Sequence, residues 1–123
     1  QYFPGPSRAR ELIAATKASG SGVLGIRPVQ GGALCDRLDR ELPDGHGVVV
    51  DFAKSEDFRT LAAELGTSAA ALAHRYALSM DDVDTVVLGC KNREELAECV
   101  AAEAAGPLET EIIARIDASV PRS

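Results

Sequence analysis

Apolar residues recur at helical spacing in five stretches of this chain, and in two short stretches they run unbroken. SRARELIAATKASG, with Ser7 as N-cap, sets Leu12, Ile13 and Ala14 with Ala18 at helical spacing and stops at Gly20, which predicts a helix of about three turns. GVLGI, residues 22–26, follows without polar alternation, the pattern of a strand buried on both faces, and Pro28 ends it. RPVQGGAL is too rich in glycine and proline to be regular and predicts a loop at that strand's C-terminal end. Next, EDFRTLAAELG and TSAAALAHRYALS break at Gly66-Thr67, with Phe58, Leu61, Ala62 and Leu65 on one stripe and Ala69, Leu72, Ala73 and Tyr76 on the other. They predict a helical hairpin that covers a sheet. DTVVLG, residues 84–89, reads as a second buried strand. REELAECVAAEAAG reads as a helix closed by Gly106 and Pro107, and LETEIIARIDASV as a last helix capped by Thr110.

One stretch breaks this rhythm. CDRLDRELPDGHGVVV, residues 35–50, has room for a short helix, a Pro-Asp-Gly turn at 43–45 and an apolar triplet, and it reads as an insertion. Alternating apolar strands and helices predict a parallel α/β sheet, in which ligands sit at the carboxyl ends of the strands. Two or three parallel strands leave unpaired edges and bare apolar faces, so something else must complete the sheet.

With 123 residues, 46% of them hydrophobic, the chain has the material for one core, and residues 1–123 read as a single unit. No apolar run approaches the roughly 18 residues of a membrane span, and QYFPGPSRAR lacks the pattern of a signal peptide, so the expectation is a soluble, cytoplasmic protein without a membrane partner. The chain has no initiator methionine and reads as cut from something longer. Cys35, Cys90 and Cys99 are odd in number and lack C-x-x-C spacing, which fits reduced thiols better than disulfides or a zinc site. The formal charge of −6, from 19 acids against 13 bases, repels a phosphate backbone at long range and sets the expectation of no nucleic-acid partner. It weighs against reading LAAELGTSAAALAHRYAL as a helix-turn-helix, in which only His74 and Arg75 could reach DNA.

Chemistry concentrates in VVLGCKNREEL, residues 86–96. Gly89 and Cys90 are small, Lys91, Asn92 and Arg93 are donors, and a helix N-terminus faces the same place, which makes a workable phosphate site. An ordinary turn, with Asn92 as N-cap and both bases solvated, explains the same residues. RPVQGGAL, with Arg27, is a second loop at the equivalent end of a neighbouring strand, so the two loops together make a shared pocket more credible. His46 and His74 stand 28 residues apart with no ligand at metal spacing; His46 reads as exposed in a turn and His74 as a packing or surface residue. No local catalytic constellation stands out.

Four ordered blocks carry a family resemblance: GVLGIRPVQGGAL, FRTLAAELGTSAAALAHRYALS, VDTVVLGCKNREELAECVAA and GPLETEIIARID. They resemble the C-terminal half of the aldo-keto reductase family, from the end of its sixth strand to its final helix. The first block is similar to the family's seventh strand and the third to its eighth. The resemblance implies an α/β fold, the C-terminal half of a parallel (β/α)8 barrel flanked by helices, with NADPH or NADH as hydride donor and carbonyl compounds as substrates. By position it implies that Gln1 lies near the nicotinamide carboxamide and that Ile26 faces the nicotinamide. Arg27, Val29 and Gly31 would line the pyrophosphate channel, and Gly89, Cys90, Lys91, Asn92 and Arg93 would surround the adenosine 2′-phosphate or ribose. Glu95 stands where NADPH-preferring members often carry an arginine, Glu98 and Cys99 where the family often has Glu-Asn on the adenine, and Ile26 where it usually has an aromatic ring. The family's catalytic aspartate, tyrosine, lysine and histidine precede its sixth strand. The implied role is therefore the cofactor phosphate and ribose site of an oxidoreductase whose catalytic residues come from an N-terminal half-barrel. A non-catalytic half-barrel that covers its open edges by self-association is the rival reading.

Overall fold

The computed structural model describes residues 6–119, so Gln1 lies outside the described residues. The elements run α1 (Pro6–Ala18), β1 (Leu24–Ile26), a 3-10 turn (Gln30–Gly32), α2 (Gly47–Lys54), α3 (Glu56–Glu64), α4 (Ala69–Leu78), β2 (Thr85–Val87), α5 (Arg93–Ala104) and α6 (Thr110–Ser119). α1 is already helical at Pro6, where a missing N–H costs little, so Ser7 lies inside the helix instead of capping it. Thr110 likewise begins α6 where the sequence predicts its cap. The hairpin of α3 and α4 forms as expected. Gly66, at φ +68, takes the left-handed position after α3, and the bonds from Gly66 N to Ala63 O (3.0 Å) and Thr67 N to Ala62 O (3.1 Å) close the helix end.

The 35–50 stretch, which the sequence reads as an insertion, runs into a helix, α2, that continues to Lys54. The exposed His46 accepts the Val48 N–H on Nδ1 at 3.2 Å and so caps α2, which turns the Val48–Val50 triplet helical and buries Val48. α3 follows after a break at Ser55, where Arg59 lies over the Phe52 ring at 3.8 Å and donates to the Phe52 carbonyl.

β1 and β2 pair in parallel, with Leu24 opposite Thr85, Gly25 opposite Val86 and Ile26 opposite Val87. Asp84 sets the register at the N-terminal ends. Its Oδ2 accepts the Val23 N–H at 2.7 Å, its own N–H donates to Val23 O at 3.0 Å, and Lys17 of α1 donates to Oδ1 at 2.8 Å. Both strands are shorter than the apolar runs predict, and they are not buried on both faces: Leu24 is 62%, Ile26 69% and Val87 50% exposed. Leu24, Ile26 and Val87 share one face of this two-stranded sheet, and among the described residues no layer covers it.

The core sits between helices. Phe58, Leu61 and Ala62 of α3, Ala69, Leu72 and Ala73 of α4, Leu108, and Ile116 of α6 form one buried cluster to which neither strand contributes. The hairpin therefore packs chiefly on α6 and α5 and not, as its sequence pattern predicts, over a sheet. Arg10 of α1 and Tyr76 of α4 both bond Asp117 of α6, at 2.7 and 2.5 Å, which ties the three helices together. No described helix is long and apolar enough to cross a membrane. Leu72, 1% exposed, is the best-buried large side chain, and Leu72→Ala is expected to cost about 2–5 kcal/mol in urea denaturation. Tyr76→Phe, which removes only the bonded hydroxyl, should cost about 1 kcal/mol in the same measurement.

Candidate cofactor site

Because Ile26 lies opposite Val87, the chain leaves both strands side by side, and the two loops singled out by sequence start at the same edge of the sheet. In the first, Arg27 (φ +55), Gln30 (φ +54) and Gly31 (φ +67) take left-handed backbone conformations that reverse the chain tightly. A Cβ on Gly31 would fall 2.9 Å from Arg27 Nη2, so any other residue here would push the guanidinium off this turn. Arg40 donates to the Gly31 carbonyl at 2.9 Å. The half-buried Val29 packs against the helical core, whereas Ile26 is exposed at the strand end.

In the second loop, Asn92 Oδ1 accepts the Glu95 N–H at 2.8 Å, and Glu95 Oε2 accepts the Lys91 N–H at 2.8 Å. Asn92 is thus the N-cap of α5, as the ordinary-turn reading holds, and Glu95 places a carboxylate at the positive end of the helix. Lys91 Nζ forms an ion pair with Asp39, which also bonds Arg40 at 3.0 Å. The stretch 35–50 therefore bridges the two loops. Gly89, Cys90, Lys91, Asn92 and Arg93 are all exposed, and Arg93 makes no ion pair among the described residues.

Beneath the loops, Ser68 donates to Glu98 and accepts the Ala71 N–H at 3.0 Å, while Asp36 accepts the Ala69 N–H at 3.1 Å. The buried Cys99 lies with its Sγ 3.6 Å from His74 Nδ1 and 3.8 Å from Cys90 Sγ. Burial lowers the His74 pKa, opposed by the nearby Glu98 charge. Burial, with the Cys90 contact, pushes the Cys99 thiol up to about 11, and burial raises Cys35 as well. Among the described residues no group of three or more His, Cys, Asp or Glu side chains has the arrangement of a metal site. Tyr76 lies about two turns along α4 from Ser68, its hydroxyl held between Asp117 and Arg10 and its pKa raised by burial and by that carboxylate.

The structure gathers Ile26, Arg27, Gly31 and residues Gly89–Arg93 at one edge of the sheet, turns Glu95 onto a backbone N–H, and engages Glu98 and Cys99 with the chain's own Ser68, His74 and Cys90. Sequence reading missed Asp36, Asp39 and Arg40, whose only signal was charge within an irregular stretch. It also missed the link from His74 to Cys99, which lie 25 residues apart on different helices. As a helix-turn-helix, the hairpin would offer little to DNA: His74 is buried, and Arg75 donates to the carbonyls of Gly106 and Pro107.

Gly31→Ala should destabilise the chain by about 1 kcal/mol in urea denaturation, since it places a Cβ on a residue in the left-handed conformation. His74 has a folded pKa below its unfolded value, so the unfolded state binds the extra proton, and stability present at neutral pH is lost as pH falls through the histidine range. Denaturation midpoints should therefore drop between about pH 7.5 and pH 5.5, and His74→Gln should flatten that dependence.

A search of curated proteins finds no match to this chain. The profile described as the aldo/keto reductase family matches residues 2–121, nearly the whole sequence. With that match over a parallel strand pair whose carboxyl-terminal loops meet at one edge, the chain belongs to the aldo/keto reductase family, a family of oxidoreductases.

Proposed function

We propose that this chain forms the cofactor phosphate and ribose side of an NAD(P)H-dependent reductase of carbonyl compounds, the C-terminal half of a (β/α)8 barrel. The observation that carries this reading is the convergence of two cation-bearing loops, Arg27–Gly31 and Gly89–Arg93, at the carboxyl edge of adjacent parallel strands. The donor set fits an anionic group: Arg27 and Arg93 are exposed, Gly89 and Cys90 are small, and the twelve-residue α5 starts at Arg93. Ile26, exposed at the end of β1, would lie against the nicotinamide. Glu98 and Cys99 would lie on the adenine side. A bound nicotinamide cofactor would supply the hydride; the catalytic aspartate, tyrosine, lysine and histidine would come from an N-terminal half-barrel on the bare strand face.

The carboxylates decide between NADPH and NADH. Asp39 already neutralises Lys91, and Glu95 occupies the Lys91 N–H, so Arg93 is the cation best placed for a 2′-phosphate. Charge-assisted hydrogen bonds contribute about 1.5–3 kcal/mol each, enough to keep a preference for NADPH over these carboxylates. In calorimetry, NADPH should bind more tightly than NADH. Arg93→Ala should weaken NADPH about tenfold or more while changing NADH little, and Asp39→Asn, which releases Lys91, should strengthen NADPH. Absence of binding by either cofactor would refute the cofactor reading.

One observation favours a second reading, a non-catalytic half-barrel that associates through its sheet: the exposure of Leu24, Ile26 and Val87 on one strand face. A native mass at a multiple of 12.9 kDa, together with no cofactor binding, would select it.

A further inference from the structure

Cys90 and Cys99 stand apart from the other features of the site because they face each other with no bond between them. The Cys90 side chain is exposed in the loop after β2, Cys99 is buried on the second turn of α5, and the two sulfurs are 3.8 Å apart. His74 Nδ1 lies 3.6 Å from the same Cys99 sulfur. We propose that Cys90 and Cys99 form an oxidation site for hydrogen peroxide, closing to an intramolecular disulfide that shuts the adenosine side of the cofactor site. The second half of this statement rests on the cofactor reading above; the first does not.

The roles divide by exposure. The Cys90 thiolate attacks one peroxide oxygen; an S–O bond forms, the O–O bond breaks, and the departing hydroxide takes up the thiol proton as water, leaving Cys90 as sulfenic acid. Cys99 then attacks the Cys90 sulfur. The S–S bond forms, the S–O bond breaks, and the Cys99 proton passes by way of His74 to the departing hydroxide, giving a second water. Two thiols and one peroxide thus become one disulfide and two waters. Burial holds Cys99 as a thiol away from peroxide and His74 in its neutral form, so Cys99 reacts second, giving its proton to the adjacent His74 as it attacks the Cys90 sulfur. Joining the sulfurs draws Cys90 onto α5 and moves its neighbours Gly89 and Lys91, two of the residues proposed to surround the 2′-phosphate or ribose.

The reduced chain, treated with a small excess of hydrogen peroxide and freed of it by gel filtration, should lose the mass of two hydrogens and yield tryptic peptide 76–91 joined to 94–115. Dithiothreitol should restore both peptides. Cys90→Ser should abolish the joined peptide and Cys35→Ser should leave it unchanged. Recovery of Cys90 as sulfinic or sulfonic acid with Cys99 still free to alkylate, or linkage of Cys90 to Cys35 or to a second chain, would overturn the pair. In the binding arm, oxidation should weaken NADPH about tenfold, reversibly with dithiothreitol. Equal affinity before and after oxidation would overturn the gate. If the reduced chain binds no NADPH, the cofactor reading and the gate fail together, while the mass measurement decides the disulfide by itself.

Discussion

Close approach around α4 is the constraint on which the rest of the structure depends. Ala69 and Ala73 are fully or almost fully buried, and their small side chains let α3 and α6 come near enough to share Leu72 with Phe58, Leu61 and Ile116. His74, next along the same helix, meets Cys99 of α5, and Arg75 holds the carbonyls of Gly106 and Pro107 just after α5. One helix thereby places the core on one side and the wall of the candidate site on another. β2 follows directly from α4, so the position of its carboxyl-terminal loop is inherited from that packing.

The sheet contributes position more than stability. Three residues per strand and a bare face supply little apolar burial, yet the parallel register set at Asp84 brings Ile26 and Val87 level, and with them the two loops. The loops are then joined by charge: Asp39 bridges Lys91 and Arg40, and Arg40 reaches the Gly31 carbonyl. Such exposed pairs contribute little to stability and are screened by salt, but they fix which cations remain open to an anion. By this logic a net-acidic chain can still present a cationic edge, since Asp39 and Glu95 are engaged with the loops while Arg27 and Arg93 stay exposed.

The helices of this chain were legible because each states its pattern locally. The stripes of α3 and α4, the Gly66 break between them and the Asn92 cap of α5 depend on neighbours within a few residues, where helical periodicity and capping chemistry act. The candidate loops were legible for the same reason, as small and basic residues following an apolar run. α2 escaped reading because its cap is a histidine after a turn, and its Val48–Val50 triplet suits a strand as well as a helix.

What the tertiary structure alone decided lies between residues distant in sequence. An unbroken apolar run says that a strand can be buried; whether it is buried depends on the layers around it, and Leu24, Ile26 and Val87 have one face without a layer among the described residues. The pairing of Lys91 with Asp39, the turn of Glu95 onto the loop backbone, and the contacts of Cys99 with His74 and Cys90 follow from how α4, α5 and the 35–50 stretch pack together. Periodicity assigns a residue to a face of its own helix. Only packing determines which residue of another element it meets, because that partner is set by distances through space that no local pattern encodes.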